Sequence, residues 1–318
     1  MISFKPVRLS AKWQTIVASL VPAGKPPNSE PLWLTLPDQD QINLQCSIAT
    51  NGKPLLVVLF HGLCGSSKSS YMIRLARKLY QKGISVVRVN HRGATPQLLP
   101  YAKGIYHAGK SEDVIAVLHF LQQRYPEYAI IPIGFSISGN MLLKALGEIG
   151  DDTKGIKKAY AVCPAVDLTT SAQRLQMPDN MLFQRYFVRK IKKMVYLRYQ
   201  QHPHLGDAPI IDTAKTLYDL DHIYAAQEAG HAHVDDYYHH ESALPLLDKI
   251  KVKTIILADH DDPFIANEPL QELTLPNIEV QFTQGGGHMG YLGKAQGYQL
   301  YRFWMDDYLV NAILQSEM

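Results

Sequence analysis

The sequence predicts an α/β fold with a mostly parallel central sheet and helices on both faces. Two observations carry that prediction: short apolar runs alternate with stretches of helical periodicity, and the runs end at turn residues. The length of 318 residues adds a third, because it exceeds one ordinary domain of about 150 and leaves room for an insertion.

Leu55-Leu56-Val57-Val58-Leu59-Phe60 is unbroken apolar sequence ending at His61-Gly62, as expected of a strand buried on both faces. A helix is expected from about Ser69 to Gln81, with Met72, Leu75, Leu79 and Tyr80 on one stripe and Gly83 as its stop. Ile84, Val86, Val87 and Val89 mark the next strand, and Val114, Val117, Leu118 and Leu121 mark a helix from about Ser111 to Tyr125. Ala129 to Ile133 reads as a third strand, Met141 to Ile149 as its helix, and Lys158 to Val162 as a fourth strand. The rhythm breaks after Asp167. It resumes with Thr254 to Leu257, Ile278 to Phe282 and a closing helix from about Ala295 to Leu314. The expected organisation is therefore a core of residues 1–168 and 246–318, interrupted by a mostly helical lid insertion over 169–245.

Composition narrows the function classes. Apolar residues are 46% and charged residues 19% of the chain, which is ordinary globular usage. Lys plus Arg is 32 and Asp plus Glu is 29, and a net charge of +3 gives no reason to expect nucleic acid as a partner. Three cysteines, Cys46, Cys64 and Cys163, suggest reduced thiols and a cytoplasmic location. Lys5, Arg8 and Lys12 precede the apolar stretch Ile16 to Val21, which is too short for the core of a signal peptide and reads as mature sequence.

The chemistry begins at Gly134-Phe135-Ser136-Ile137-Ser138-Gly139, directly after a buried strand and before a helix. A serine on such a turn stands exposed at the carboxyl edge of the sheet, with the next helix directing amides at any anion that forms. The usual spacing is G-x-S-x-G, and here Ser138 holds the fifth position, so a mild distortion of the turn is expected. Ser138 as nucleophile is the weaker alternative, because its own frame has no flanking glycine. A hydroxyl needs a base, and His288 in Gly285-Gly286-Gly287-His288-Met289-Gly290 follows the last predicted strand. The base needs an orienting carboxylate, and Asp261-Asp262-Pro263 follows the strand before it. The order Ser136, Asp262, His288 is the chain order of one serine-hydrolase architecture and not of the others. The loop His61-Gly62-Leu63-Cys64-Gly65 suits an oxyanion hole formed by the backbone amides of Leu63 and Ile137. Cys64 reads as a small apolar filler.

At these residues the chain resembles the YheT-like hydrolases of the α/β-hydrolase superfamily, related to the eukaryotic ABHD1/2/3 lipid esterases. The resemblance rests on Gln14-Thr15, His61 to Gly65, Asn90-His91-Arg92-Gly93, Tyr106 to Gly109, Tyr237-Tyr238, Asp261 to Phe264 and Gly286 to Gly290. It implies an α/β-hydrolase fold, a Ser136/Asp262/His288 triad, and hydrolysis of carboxylic esters without a metal or organic cofactor. Asp261 remains the alternative acid. Two departures are Ser138 at the turn and Asp38-Gln39-Asp40 in place of Asp-Gly-Asp, which is expected to concern only a hairpin.

Other residues have competing readings. His231, His233, Asp235, Asp236, His239 and His240 contain metal-like i,i+4 pairs, yet no HExxH pattern, and are read as a polar connection between lid and core. His91 and His107 are read as orienting loops. The basic helix near Asp179 to Gln201 either packs on the core or makes a weak membrane-surface contact. The expected activity is that of a serine carboxylesterase acting on a small-molecule ester. Acyl transfer to another acceptor and a non-catalytic binding protein are the alternatives.

Overall fold

Residues 3–50, 52–295 and 301–315 are described by a computed structural model. An N-terminal helix α1 (Ala11–Leu20) precedes an antiparallel hairpin, β1 (Glu30–Thr35) and β2 (Gln41–Ser47). There follow β3 (Leu55–Phe60), α2 (Ser70–Gln81), β4 (Ser85–Asn90), α3 (Ser111–Arg124), β5 (Ala129–Phe135), α4 (Ile137–Ile149) and β6 (Ala159–Val162). Helices alone fill the next segment: α5 (Leu168–Gln176), α6 (Met181–Gln201), α7 (Leu217–Leu220), a π turn over Asp221–Ala225, α8 (Ala226–Glu228) and α9 (Val234–Glu241). Then come β7 (Thr254–Asp259), α10 (Glu268–Gln271), β8 (Ile278–Thr283), the short β9 (Leu292–Gly293) and β10 (Arg302–Phe303), and α11 (Trp304–Gln315).

The main sheet has eight strands in the order β1-β2-β4-β3-β5-β6-β7-β8, antiparallel at β1/β2 and β2/β4 and parallel beyond. Side-chain alternation splits each apolar run between two cores. Leu56, Val58 and Phe60 of β3 join α3 and α4 residues such as Val117 and Met141 on one face. Leu55, Val57 and Leu59 join Leu75 of α2 and Leu309 of α11 on the other. A run with no polar member is what a strand covered on both sides requires. The chain passes from β3 outward to β4, then back across β3 to β5. That reversal opens a crevice beyond the carboxyl ends of β3 and β5, the usual ligand position in such sheets.

Several expectations need correction. Helix α4 starts at Ile137, not Met141, although Ile-Ser-Gly-Asn is poor helix sequence. Burial of Ser138, Gly139 and Asn140 overrides propensity. The closing helix starts at Trp304, because Arg302 and Phe303 pair with β9 instead; the expected turns at 296–300 fall outside the described residues. Strand β2 is not a continuous apolar run like the other strands: Ile42, Leu44 and Cys46 alternate with Gln41, Asn43 and Gln45, the pattern of a strand paired near the sheet edge. The Asp38-Gln39-Asp40 turn also does more than close a hairpin. Gln39 takes φ +70°, a conformation that favours glycine. Asp38 and Asp40 bind the buried Arg92 guanidinium at 2.6 and 2.9 Å, and Asp40 accepts the amides of Lys103 and Gly104 at 2.8 Å each. Arg92 is also held by both oxygens of Asp113, at 2.7 and 2.6 Å.

Candidate active site

Parallel register carries the end of β5 past the end of β3, pairing Phe60 with Gly134. The next turn is tight because α4 begins at once. Ser136 has φ +55°, ψ −121°, a strained conformation for a residue with a side chain and one that costs about 1–3 kcal/mol. A Cβ on Gly134 would lie 2.3 Å from the carbonyl oxygen of Ser138, so only glycine fits there. Gly62 faces the same point: a Cβ on it would lie 3.2 Å from the Cβ of Ser136.

The structure brings Ser136, His288 and Asp262 together. His288 Nδ1 lies 2.8 Å from Asp262 Oδ2, and Nε2 lies 2.9 Å from Ser136 Oγ. An ionised carboxylate only accepts, so Nδ1 carries the proton and Nε2 is left to take one from the serine hydroxyl. The other oxygen, Asp262 Oδ1, accepts the amides of Phe264 and Ile265 at 2.8 and 3.0 Å, which fixes the carboxylate plane. Asp262 is buried and Asp261 exposed, so of the two only Asp262 meets the imidazole. The Phe264 ring packs against His288 with centroids 4.6 Å apart.

The loop bearing His288 is seated by residues outside the sequence reading of the site. Asp259, at the end of β7, accepts Gly286 N at 2.8 Å and Gly287 N at 3.2 Å, and its burial pushes its carboxyl above the usual range. From the other side, α1 clamps the loop. Gln14 donates Nε2 to Leu292 O at 3.1 Å and accepts Leu292 N on Oε1 at 2.7 Å, while Thr15 Oγ1 accepts His288 N at 2.9 Å. A Cβ on Gly287 would lie 2.1 Å from Ala11 O, so helix and loop touch backbone to backbone. The only sequence signal for this clamp was the Gln14-Thr15 pair noted with the family resemblance.

Ser138 is not beside His288. It is fully buried, donating to His61 O at 2.5 Å and lying 2.8 Å from His91 Nε2. Because the hydroxyl has one proton, His91 Nε2–H must be the donor of that second bond. Ser138 thus ties α4 to the loops after β3 and β4, which is how the turn accommodates a side chain at its fifth position. Gly139, displaced by one, packs where a Cβ would lie 2.8 Å from Pro164. Burial lowers the His61 imidazole to about 4 and drives that of His91 well down, so both are neutral near pH 7. His107 is also buried and neutral, pushed down to about 4, and accepts Gly109 N at 3.2 Å.

Leu63 and Ile137 follow the two glycine-flanked turns. The Leu63 amide has no hydrogen-bond partner among the described residues, whereas Cys64 N donates to Tyr106 OH at 2.8 Å. Ile137 N is the first amide of α4 and has no intrahelical acceptor. Two unpaired donors beside a serine can hold a developing oxyanion. A cavity of about 450 Å³ opens at Ser136, its wall formed by Leu63, Ile137, Leu168, Phe187, Ile191 and Val195 among others. Lys190 and Lys193 line its outer part. Asp221, in the π turn, is the one carboxylate on its wall among the described residues and accepts Tyr238 OH at 2.7 Å. It is half-buried because it faces the cavity, and this enclosure pushes its carboxyl up to about 7.

The remaining candidates have other partners. Burial raises the Cys64 thiol to about 12, which suits an apolar filler better than a nucleophile. His231 Nε2 lies 2.9 Å from Glu241 Oε1, and Glu241 Oε2 lies 3.1 Å from Lys144, so His231 alone of this cluster is linked to α4 of the core, while His233, Asp235, Asp236, His239 and His240 are exposed. The one group with metal-ligand spacing among the described residues is Cys163, Asp262 and His288. Burial holds the Cys163 thiol protonated and the other two are bonded to each other, a poor donor set for a cation.

A sheet of this topology with a strained serine after β5 defines a class: the hydrolase-type α/β proteins. A sequence model of the α/β hydrolase fold matches residues 56–295. The chain is 31% identical over 274 residues to an Escherichia coli (strain K12) protein that bears the name of an esterase, YheT, with 83% of this chain and 79% of that one covered. It is 26% identical over 257 residues to human phospholipase ABHD3, covering 80% of this chain but only 62% of the relative. Among solved structures, the Pyrococcus furiosus esterase Pf2001 superposes with a TM-score of 0.58 over 99% of this chain and 98% of that one; at 16% identity the likeness concerns the fold alone. The chain belongs to the α/β-hydrolase family, among its YheT-like members.

Proposed function

We propose that this protein is a serine carboxylesterase that works through an acyl-enzyme. The observation that carries the reading is the hydrogen-bonded relay from Ser136 Oγ through His288 to Asp262, at 2.9 and 2.8 Å. His288 Nε2 takes the hydroxyl proton as Oγ attacks the ester carbonyl, and the Leu63 and Ile137 amides hold the oxyanion. Asp262 stabilises the imidazolium. His288 then protonates the departing alcohol, and a water deprotonated by the same nitrogen releases the acid. The names of the YheT and ABHD3 relatives support an ester bond as the target.

The helical segment 169–245 acts as a lid over the core formed by 1–168 and 246–318, and its apolar wall receives the acyl chain. Each buried methylene contributes about 0.8 kcal/mol, so kcat/KM rises with chain length until the cavity is full. The test is a panel of esters of increasing chain length, run on wild type and Ser136→Ala, together with labelling by a fluorophosphonate probe. Wild type is expected to label on Ser136, and Ser136→Ala to lose at least about 10³-fold in kcat. An unlabelled wild type that hydrolyses no ester removes the enzyme reading, and full turnover by Ser136→Ala removes the assignment of the nucleophile.

A further inference from the structure

Helix α1 buries a narrow face that carries the polar Gln14. Gln14 and Ala18 are the residues turned inward. Trp13, Ile16, Val17 and Leu20 recur with the i, i+3, i+4, i+7 spacing of a single helix face. The two ends of that stripe look outward, Trp13 at 58% and Leu20 at 74% exposed, with Ile16 and Val17 half-buried between them. An apolar stripe ordinarily seeks the core, and here the hydrogen bonds from Gln14 and Thr15 to the His288 loop turn it to the outside.

A second apolar strip adjoins it. Lys12 Nζ binds the carbonyl and a carboxylate oxygen of Asp179 at 2.6 and 2.7 Å, bringing α1 against the start of α6. Around that contact Met177, Met181 and Tyr186 are exposed, and Leu182 is 73% exposed. Leu182, Tyr186, Arg189 and Lys193 lie on one face of α6, and Lys193 reaches the cavity mouth. Elsewhere among the described residues, the exposed large apolar side chains are Leu9 just before α1, Tyr196 further along α6, a mutually packed Trp33–Tyr101 pair and Ile210. Neither α1 nor α6 contains Asp or Glu, while α6 carries Arg185, Arg189, Lys190, Lys192 and Lys193 on or near this face. The neighbouring Asp179 is already neutralised by Lys12.

We propose that the joined faces of α1 and the start of α6 dock this protein on the headgroup region of an anionic lipid bilayer, with the cavity mouth turned to the membrane. Aromatic and aliphatic side chains ringed by cations match a surface that is apolar below and negative above. A second copy of the chain fits poorly, because a two-fold contact would set the basic face against itself. No helix of the described residues is long and apolar enough to cross a membrane; the proposed contact is one of this surface with the headgroups. Docking rests on this surface and not on the esterase reading.

The test is co-sedimentation of the full chain with vesicles of phosphatidylcholine alone or mixed with phosphatidylglycerol. Wild type is expected on the mixed vesicles, with binding that weakens as salt rises. Two double variants, Trp13→Ala/Leu182→Ala and Arg185→Glu/Arg189→Glu, should each lose at least about tenfold in partitioning. Both should hydrolyse a soluble short-chain ester at the wild-type rate, which shows them folded and separates failure of docking from failure of the esterase reading. Wild type left in the supernatant with every vesicle overturns the proposal. So do variants that partition like wild type, and so does a concentration-dependent dimer abolished by Trp13→Ala.

Discussion

Replacing Gln14 by Met tests whether a helix at one end of the chain positions the base at the other. Met matches the length and volume of Gln, so the packing cost is small. What disappears is the side-chain amide. It makes two hydrogen bonds, at 3.1 and 2.7 Å, to the carbonyl and amide of Leu292, a residue that is 1% exposed. Leaving each backbone group unsatisfied costs about 1–3 kcal/mol, so a loss of about 2–6 kcal/mol is expected. At about 2 °C per kcal/mol, the lower end of the range for chains of about 150–250 residues, the melting temperature should fall by about 4 °C or more. The second consequence is catalytic. Between Gly286 and Leu292 the loop is held by Asp259 on one side and by α1 on the other, and removing one support lets His288 drift from Ser136 Oγ. A displacement near 1 Å costs about 10²-fold, and it should enter kcat rather than KM because the cavity wall is untouched. The assay is initial ester hydrolysis at a temperature where circular dichroism shows the variant folded, with a melting curve alongside. A lower melting temperature with wild-type kcat would mean that the clamp contributes stability alone. Unchanged values of both would refute the reasoning outright.

Asp262→Asn should lower kcat by about 10⁴-fold, as loss of the orienting carboxylate does in other serine triads, while Asp261→Asn stays within about threefold; parallel rate measurements separate the two acids. Ser138→Ala leaves His61 O and His91 Nε2–H without their buried partner, so it should destabilise by about 2–6 kcal/mol in urea unfolding yet still be labelled on Ser136 by a fluorophosphonate. Loss of label in that folded variant would mean that Ser138 is the nucleophile. Asp221→Asn should show a pH-dependent gain in stability. The Asp221 carboxyl sits at about 7 when folded against an ordinary 3.8, so ionising it opposes folding, a penalty absent below pH 3.8 and complete above 7. Asn still accepts the Tyr238 hydroxyl, so it should stabilise by up to about 3 kcal/mol more at pH 8 than at pH 5; an equal gain at both would show that Asp221 titrates normally. His61 and His107 should give imidazole proton signals that do not shift between pH 5 and 8, since burial places both near 4.

Much of the sheet was legible along the chain. An apolar run such as Leu55 to Phe60 needs cover on both faces wherever it lies, and the helices that supply the cover announce themselves by spacing. The order of Ser136, Asp262 and His288 was legible for the same reason, since each closes a strand that ends at one edge of the sheet. Other features carry no such local mark. The weak helix sequence after Ser136 hides the start of α4. Asp261 and Asp262 are adjacent and chemically identical, and only the course of the turn after β7 buries one against the imidazole and leaves its neighbour in solvent. Ser138 at a glycine position becomes intelligible once His61 and His91 are seen converging on its hydroxyl. Gln14 and Thr15 reach the His288 loop across some 270 residues of sequence. Periodicity reports how each residue is buried with its neighbours along the chain, whereas such pairings depend on which distant backbone groups closure of the sheet leaves in want of a partner.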